Sequence, residues 1–266
     1  FLICFVIALL FYYGGIVAMI VMIALAVVII IKNRAKTNKN NDTDDLFEQA
    51  LNTSDQEVIY ETLIQHNKES ISELLNISKD IYNDVVNAFM KEDIKTLRKA
   101  SNDCRLAKDK MKQLKRKEII IMRRLDDKMI NKNTWFHLSY NCIEQILYAL
   151  RRICDPCKEY VDNSFTPLDK KYLPEVEILK DNVLWSLSAA DNTILNSDYK
   201  GVEYIMEQIT ARESAVIEMS HEQMNRIQHD RDNIDLALLY LNIIQESSEL
   251  VTEMRHLLRS EAKMNE

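Results

Sequence analysis

The first 31 residues carry no charged side chain, and every Asp, Glu, Lys and Arg lies at or after Lys32. As one helix, a stretch of this length would reach about 46 Å, well beyond the roughly 30 Å hydrocarbon core of a bilayer. Residues 12–15, two tyrosines followed by two glycines, interrupt the stretch. Interfacial aromatics and glycines are typical of a hairpin that turns at the water boundary. The pattern therefore predicts two membrane spans.

The first span, residues 1–13, would be only about 20 Å long as a helix, which is too short to cross a bilayer. We therefore expect it to continue before Phe1, so that the chain is the C-terminal part of a larger polytopic protein. The second span, residues 16–31, is followed by a basic cluster (Lys32, Arg34, Lys36 and Lys39). By the positive-inside rule this flank is cytosolic. A single tilted span is the alternative, and it gives the same topology.

We assign the membrane helices to residues 1–32 and a cytosolic linker to residues 33–53. The helical periodicity of the bundle follows this linker. A short helix is predicted around residues 44–51, and a capping box from Ser54 to Glu57 starts a long one. The apolar positions of the long helix follow mostly three- and four-residue steps, which indicates one buried stripe. They are Ile71, Leu74, Leu75, Ile81, Val85, Val86 and Phe89.

Five further helices are predicted by the same reasoning. Asp93 caps the second, and Asn133 with Thr134 caps the third, which frays by Asn163. A loop containing Pro167 precedes helices predicted at residues 174–196, 198–228 and 231–260. The fold class is therefore all-α: a terminal transmembrane hairpin followed by a helical bundle over residues 54–262.

The bundle contains an internal repeat. Residues 87–95 match residues 192–200 in pattern, and each segment places a tight helix-helix corner before an Asp cap, at Asp93 and Asp198. The buried stripe recurs at the same offset, which favours duplication. Leu97, Cys104, Met111 and Leu114 fall on Val202, Ile209, Val216 and Met219. Two three-helix repeats are thus predicted, at about residues 54–164 and 174–260.

Composition excludes several kinds of function. The chain has a net charge of −7 and no basic stripe with interleaved aromatics, which disfavours nucleic-acid binding. Only three Gly and three Pro occur, too few for a turn-rich sheet fold. Gly201 is the only glycine after the membrane segment, so no glycine-rich phosphate loop can form.

No catalytic, cofactor-binding or metal-binding residue is predicted. The five cysteines should be reduced thiols, and Cys154 and Cys157 are expected near a helix end disturbed by Pro156. The acidic pairs Asp126 with Asp127 and Glu246 with Glu249 are expected to face solvent. All five histidines are expected at boundary or surface positions (His66, His137, His221, His229 and His256). No set of nucleophile, base and orienting group can be assembled, so the chain is not expected to be an enzyme.

Two segments carry a family resemblance. Residues 133–138 (Asn-Thr-Trp-Phe-His-Leu) and residues 150–163, which contain Cys154, Pro156 and Cys157, are similar to the helix-to-loop segment of a PhoU-like domain. With the two terminal spans, the chain resembles the C-terminal end of a bacterial inorganic phosphate transporter of the PiT type that carries such a domain.

The resemblance implies an ion-coupled phosphate symporter of the inner (plasma) membrane, multi-pass, with the bundle in the cytoplasm. Inorganic phosphate and a coupling cation would then bind to membrane helices that precede Phe1. The other partners implied are the lipid bilayer and, for the bundle, a second copy of the chain or a regulatory protein.

PhoU-like domains often hold metal clusters on E/D-x-x-x-D motifs. Here the corresponding segments are residues 140–144 (Tyr-Asn-Cys-Ile-Glu) and 242–246 (Asn-Ile-Ile-Gln-Glu), where amides replace most carboxylates, so no metal is predicted. The alternative function is a membrane-anchored helical signalling or interaction protein. Long uninterrupted heptads would favour it, whereas the predicted helices stop about every thirty residues, as in a compact bundle.

Overall fold

The structure is a computed structural model that describes residues 52–126, 130–163, 167, 172–229 and 233–265, with the side chains of residues 130–133 left out. The chain divides into two compact units, Phe1–Ser54 and Asp55–Glu266. The predicted membrane spans, the linker up to residue 51 and the short helix at 44–51 lie outside the described residues. Among the helices that are described, none has the length and apolar character needed to cross a bilayer.

In its described ranges the second unit contains six helices and no strand. They are α1 (Gln56–Met90), α2 (Ile94–Met122), α3 (Ile130–Asp162), α4 (Leu173–Leu195), α5 (Val202–His229) and α6 (Ile234–Asn265). The prediction of an all-α bundle is therefore confirmed for this part of the chain.

The helices pack as two groups of three around a shared core. Helices α1, α2 and α3 contact one another, as do α4, α5 and α6, and the two groups meet where α3 packs on α6 and α1 on α4. The apolar stripe predicted for α1 faces this core, with Ile71 and Leu74 fully buried. Burial of such stripes supplies most of the free energy that stabilises the helices.

The two corners predicted before Asp93 and Asp198 have the same backbone geometry. Glu92 and Ser197 both have a positive φ, 53° and 52°. The N–H of Asp93 donates to the carbonyl of Ala88 (2.8 Å), and that of Asp198 to Thr193 (3.0 Å). Each helix thus ends on a left-handed residue with the same hydrogen bond closing the turn. The 105-residue offset between corners is that of the sequence match.

At the second corner, the start of the following helix differs from the prediction. Asp93 caps α2, since its Oδ1 accepts from the N–H groups of Lys95 (3.1 Å) and Thr96 (3.2 Å). Helix α5, in contrast, begins at Val202, four residues after Asp198. Asp198 is therefore not the Ncap residue of α5, although the buried positions downstream recur as predicted, with Leu114 only half-buried.

Two predicted helix starts are also wrong. The Ncap residue of α1 is Asp55, not Ser54, because the Asp55 carboxylate accepts from the N–H of Glu57 (3.0 Å). Helix α3 begins at Ile130, so Asn133 and Thr134 lie inside it. Asn and Thr favour caps but tolerate the first turn of a helix when the chain before them is already helical.

Candidate functional site: a buried polar network

A buried carboxylate joins the first three helices. Glu118 of α2 is fully buried, and its Oε1 lies 2.7 Å from Nδ1 of His66 on α1. The same oxygen accepts the hydroxyl of Tyr140 on α3 at 2.8 Å, and Oε2 accepts the amide of Asn67 at 3.1 Å. The carboxylate therefore accepts two hydrogen bonds and contacts an imidazole nitrogen, so its buried oxygens are satisfied within the core.

His66 corrects a prediction, because it is buried and not at the surface. It lies on the inner face of α1 beside Asn67 and Ser70, whose hydroxyl is 3.3 Å from Nδ1 of His66. These positions continue the three- and four-residue steps of the apolar stripe. Polar residues at stripe positions were therefore the signal in the sequence for this network, and it was missed.

A second carboxylate lies in the same region without such donors. Glu261 of α6 is fully buried, and neither of its side-chain oxygens has a hydrogen-bond partner among the described residues. The nearby hydroxyl of Ser139 donates to the backbone carbonyl of Trp135 (3.2 Å). Burial raises the pKa of Glu261 to about 7; Ser139 offsets part of this rise and the charge of Glu118 adds to it.

The two buried carboxylates differ in their hydrogen-bond partners. Glu118 accepts hydrogen bonds from Asn67 and Tyr140 and lies against His66, whereas Glu261 has no donor among the described residues and its pKa is raised to about 7 by burial. In the described part of the chain, no group of three or more His, Cys, Asp or Glu side chains could hold a metal ion. The absence of a metal site in this protein remains a prediction from its sequence.

Helix α1 binds further polar groups from the second half of the bundle. Asp191 of α4, itself buried, accepts the hydroxyl of Ser72 (2.5 Å) and the amide of Asn76 (2.9 Å). The hydroxyls of Tyr82 and of Ser247 on α6 are 2.8 Å apart. Polar contacts between helices far apart in sequence fix how the two halves meet, since each leaves an unpaired group if the register slips.

The segment 242–246 of α6 contacts α3 around Pro156. Pro156 has no N–H, so the carbonyl of Arg152 lacks its donor within α3. The Asn242 amide on α6 donates to this carbonyl at 3.0 Å, and Glu246 binds the Arg152 guanidinium at 2.7 Å. Glu246 is thus half-buried and paired, which corrects the prediction that it faces solvent. The Glu246 carboxylate is therefore already paired with the positive charge of Arg152.

The thiols of the C-x-x-C segment are in the core. Helix α3 continues for six residues beyond Pro156, so Cys154 and Cys157 do not lie at a helix end. Both are fully buried, and Sγ of Cys154 is 3.4 Å from Sγ of Cys104 on α2. Burial raises the pKa of Cys157, and the Cys104 contact with burial raises that of Cys154. The four described cysteines are therefore buried thiols that form no disulfide.

The other four histidines and Asp126 lie as the sequence predicts, whereas Glu249, which was predicted to face solvent, is half-buried. His137, His221, His229 and His256 are exposed, and so is Asp126. Asp127, its partner in the predicted acidic pair, lies outside the described residues. The structure brings none of these side chains to the buried network.

No protein-family model matches the chain, and no curated protein matches it. Among solved structures, it is similar to the crystal structure of PhoU from Pseudomonas aeruginosa, with a TM-score of 0.62 and 12% identity. The match covers 77% of this chain and 98% of that one. At this identity the likeness shows the fold and not the activity. The bundle therefore has a PhoU-like fold.

Proposed function

We propose that this chain is the C-terminal part of an ion-coupled inorganic phosphate transporter of the plasma membrane, with the PhoU-like bundle on the cytoplasmic side in a regulatory or structural role. The observation that carries the proposal is a combination: an uncharged, apolar stretch with a basic flank precedes, in the same chain, a bundle of this fold. The PhoU-like fold supports the part of the proposal that concerns phosphate regulation, and the apolar stretch supports the part that concerns a membrane.

The transport path itself would lie in other membrane helices of the complete protein. Residues 1–31 contain no ionisable side chain except Tyr and Cys. Charged groups inside a membrane usually mark the substrate and ion pathway. The phosphate and cation ligands would thus come from spans other than these, and the described bundle would act on them from outside the membrane.

Three buried or half-buried carboxylates of the bundle bind donors on neighbouring helices, which supports a role in regulation or structure. Glu118, Asp191 and Glu246 each bind donors from a neighbouring helix. A catalytic carboxylate would instead face a cleft that a substrate can enter.

The alternative is a membrane-anchored signalling or interaction protein, which would contain the same anchor and bundle. The longest described helix, α1, has 35 residues and packs inside a compact unit. An extended coiled coil, the usual signalling rod, would need longer helices with unbroken heptads.

Phosphate uptake separates the two candidates. The complete gene product is expressed in a bacterial host that lacks its own phosphate uptake systems, and uptake of radiolabelled phosphate is followed with and without a cation gradient. We expect uptake that depends on the gradient. A protein that reaches the membrane but gives no uptake above the empty vector contradicts the proposal and favours the signalling role.

The matched variant keeps residues 1–53 and lacks the bundle, residues 54–262. A change in how uptake responds to the phosphate level would assign the bundle a regulatory role. A lower amount of protein in the membrane, with unchanged uptake per molecule, would assign it a structural one.

A further inference from the structure

A basic groove of about 280 Å³ lies between α2 and α3 on the surface of the bundle. It is lined by four cations and two neutral polar side chains. These are Arg98, Ser101, Asn102, Arg105, Arg151 and Lys158. We propose that this basic groove binds a phosphate group, either as inorganic phosphate or as the phosphate of a small metabolite. The inference does not depend on the transport function proposed above.

Each of the two helices contributes two cations to the groove. Arg98 and Arg105 are seven residues apart on α2, and Arg151 and Lys158 are seven residues apart on α3, which places each pair on one helix face about 10 Å apart. The antiparallel register is fixed by Ser101, whose hydroxyl donates to Asp155 at 2.7 Å. Positive charge thus converges on the groove from two helices and from both ends.

The side-chain types suit a phosphate more than a carboxylate or a chloride ion. Three of the four cations are arginines, whose planar guanidinium groups can each donate two parallel hydrogen bonds to phosphate oxygens. The Asn102 amide lies between Arg98 and Arg105 in the sequence, and its NH2 group adds a neutral donor, whereas the Ser101 hydroxyl already donates to Asp155. A tetrahedral dianion can accept from several of these groups at once.

The cations now pair with carboxylates beside the groove. Arg98 binds Asp162 at 2.6 Å, and Arg151 binds Asp155 at 3.0 Å. In the Arg98–Asp162 pair the two side chains are 61% and 50% exposed, and such exposed ion pairs are worth at most about 1 kcal/mol. A phosphate dianion that enters the groove can therefore replace these contacts at small cost.

A second groove of about 330 Å³ adjoins the first and shares Arg151 with it. It is also lined by Tyr148 and Asn242, which offer an aromatic ring and an amide. A phosphate in the basic groove could thus carry an organic group that extends along α3. Inorganic phosphate would leave the second groove empty, so the two sources of phosphate can be told apart by affinity.

Binding is tested by calorimetric titration of the full 266-residue chain in detergent with inorganic phosphate and with adenosine 5′-monophosphate. We expect at least one to bind, with an affinity that falls as salt is raised, because exposed charges are screened. Tighter binding of the nucleotide would identify a metabolite as the source, and equal or tighter binding of phosphate would identify the inorganic ion. If neither binds at millimolar concentration in low salt, the proposal is wrong.

Two double variants with the same change in net charge locate the site. Arg98→Gln with Arg151→Gln alters the basic groove, whereas Lys112→Gln with Arg116→Gln alters exposed cations elsewhere on α2. Loss of charged hydrogen bonds predicts that the first pair weakens binding about tenfold or more, and the second less than about twofold. Equal loss in both variants would overturn the proposal, because it would show only a general effect of charge.

A third variant is expected to bind phosphate more tightly than the natural protein. Asp162→Asn removes the carboxylate that binds Arg98 and leaves the residues lining the groove unchanged. The affinity for phosphate should therefore rise a few-fold. A variant that merely disturbed the fold would not bind more tightly, so this result is informative even if the double variant at Arg98 and Arg151 fails to fold. An unchanged or weaker affinity in a folded Asp162→Asn protein contradicts the proposed site.

Discussion

Two buried carboxylates with opposite surroundings distinguish the core of this bundle. Glu118 accepts hydrogen bonds from Asn67 and Tyr140 and lies against His66. Glu261 is equally buried but has no hydrogen-bond partner among the described residues, and burial raises its pKa to about 7. A buried carboxyl group without donors is stable only in its neutral form. Glu261 is thus a group that destabilises the fold when pH rises.

Substitution of Glu261 tests this directly. Its pKa is raised from 4.5 to about 7 in the fold, so the folded chain binds more protons than the unfolded chain between these values. The free energy of unfolding that Glu261 contributes therefore falls as pH rises from about 4.5 to about 7, by roughly 3 kcal/mol at the upper limit. Glu261→Gln cannot ionise. We expect its free energy of unfolding, relative to the natural protein, to increase from pH 5 to pH 8.

The control for this measurement is Glu218→Gln, which changes an exposed carboxylate on α5. Chemical unfolding of the three proteins at several pH values gives the comparison. The control should differ from the natural protein by a small and constant amount, since an exposed carboxylate has similar surroundings in both states. A difference for Glu261→Gln that is the same at pH 5 and pH 8 would contradict the account.

At the scale of the helix, α6 provides a hydrogen-bond donor for a backbone carbonyl that α3 leaves unpaired. Pro156 deprives the carbonyl of Arg152 of its normal donor, and Asn242 of α6 supplies one. Glu246, one turn further along α6, holds the side chain of the same arginine. The α3–α6 interface is the most extensive in the bundle, so this proline is tolerated because the neighbouring helix satisfies the free carbonyl.

A double-mutant cycle measures the compensation. Asn242→Ala leaves the Arg152 carbonyl unpaired and should lower the free energy of unfolding by about 1 to 2 kcal/mol. In a Pro156→Ala background the helix regains its own N–H donor, so the same substitution should cost less. Asn141→Ala, at an exposed position on α3, is the control and should cost the same in both backgrounds. Equal costs for Asn242→Ala in both backgrounds would show that the amide does not act through this carbonyl.

The helices could be predicted from the sequence where their apolar stripe is regular and their capping residue is clear. The stripe of α1 from Ile71 to Phe89 repeats many times, and the corner before Asp93 is marked by its cap, so both could be read from the sequence. The start of α3 could not, because Asn133 and Thr134 look like a cap but are preceded by helix. Local propensity does not decide a helix start when tertiary packing extends the helix.

The polar network was harder to predict, because it depends on contacts between distant helices. Glu118 and His66 are 52 residues apart, and each alone resembles a surface residue in sequence. The same holds for Asn242, whose partner is the backbone of Arg152. A proline inside α3 gave a partial signal that a carbonyl needed a donor. The identity of that donor follows only from the packing of α3 on α6.

At the scale of the whole molecule, the PhoU-like fold and the apolar stretch together support our proposal of a membrane-bound phosphate transporter. The likeness to PhoU from Pseudomonas aeruginosa covers 77% of this chain, and residues 1–31 are uncharged. We propose that these residues place the bundle against the cytoplasmic face, because the flank from Lys32 to Lys39 is basic. Membrane attachment and its orientation form the central claim of this account.

Protease protection tests that claim most directly. The 266-residue chain is expressed in a bacterial host, and its bundle is followed with an antibody in intact spheroplasts and in inverted membrane vesicles treated with protease. The account predicts that the chain sediments with membranes, that the bundle survives in spheroplasts, and that it is digested in inverted vesicles. A chain that stays in the supernatant, or a bundle digested in intact spheroplasts, would contradict it.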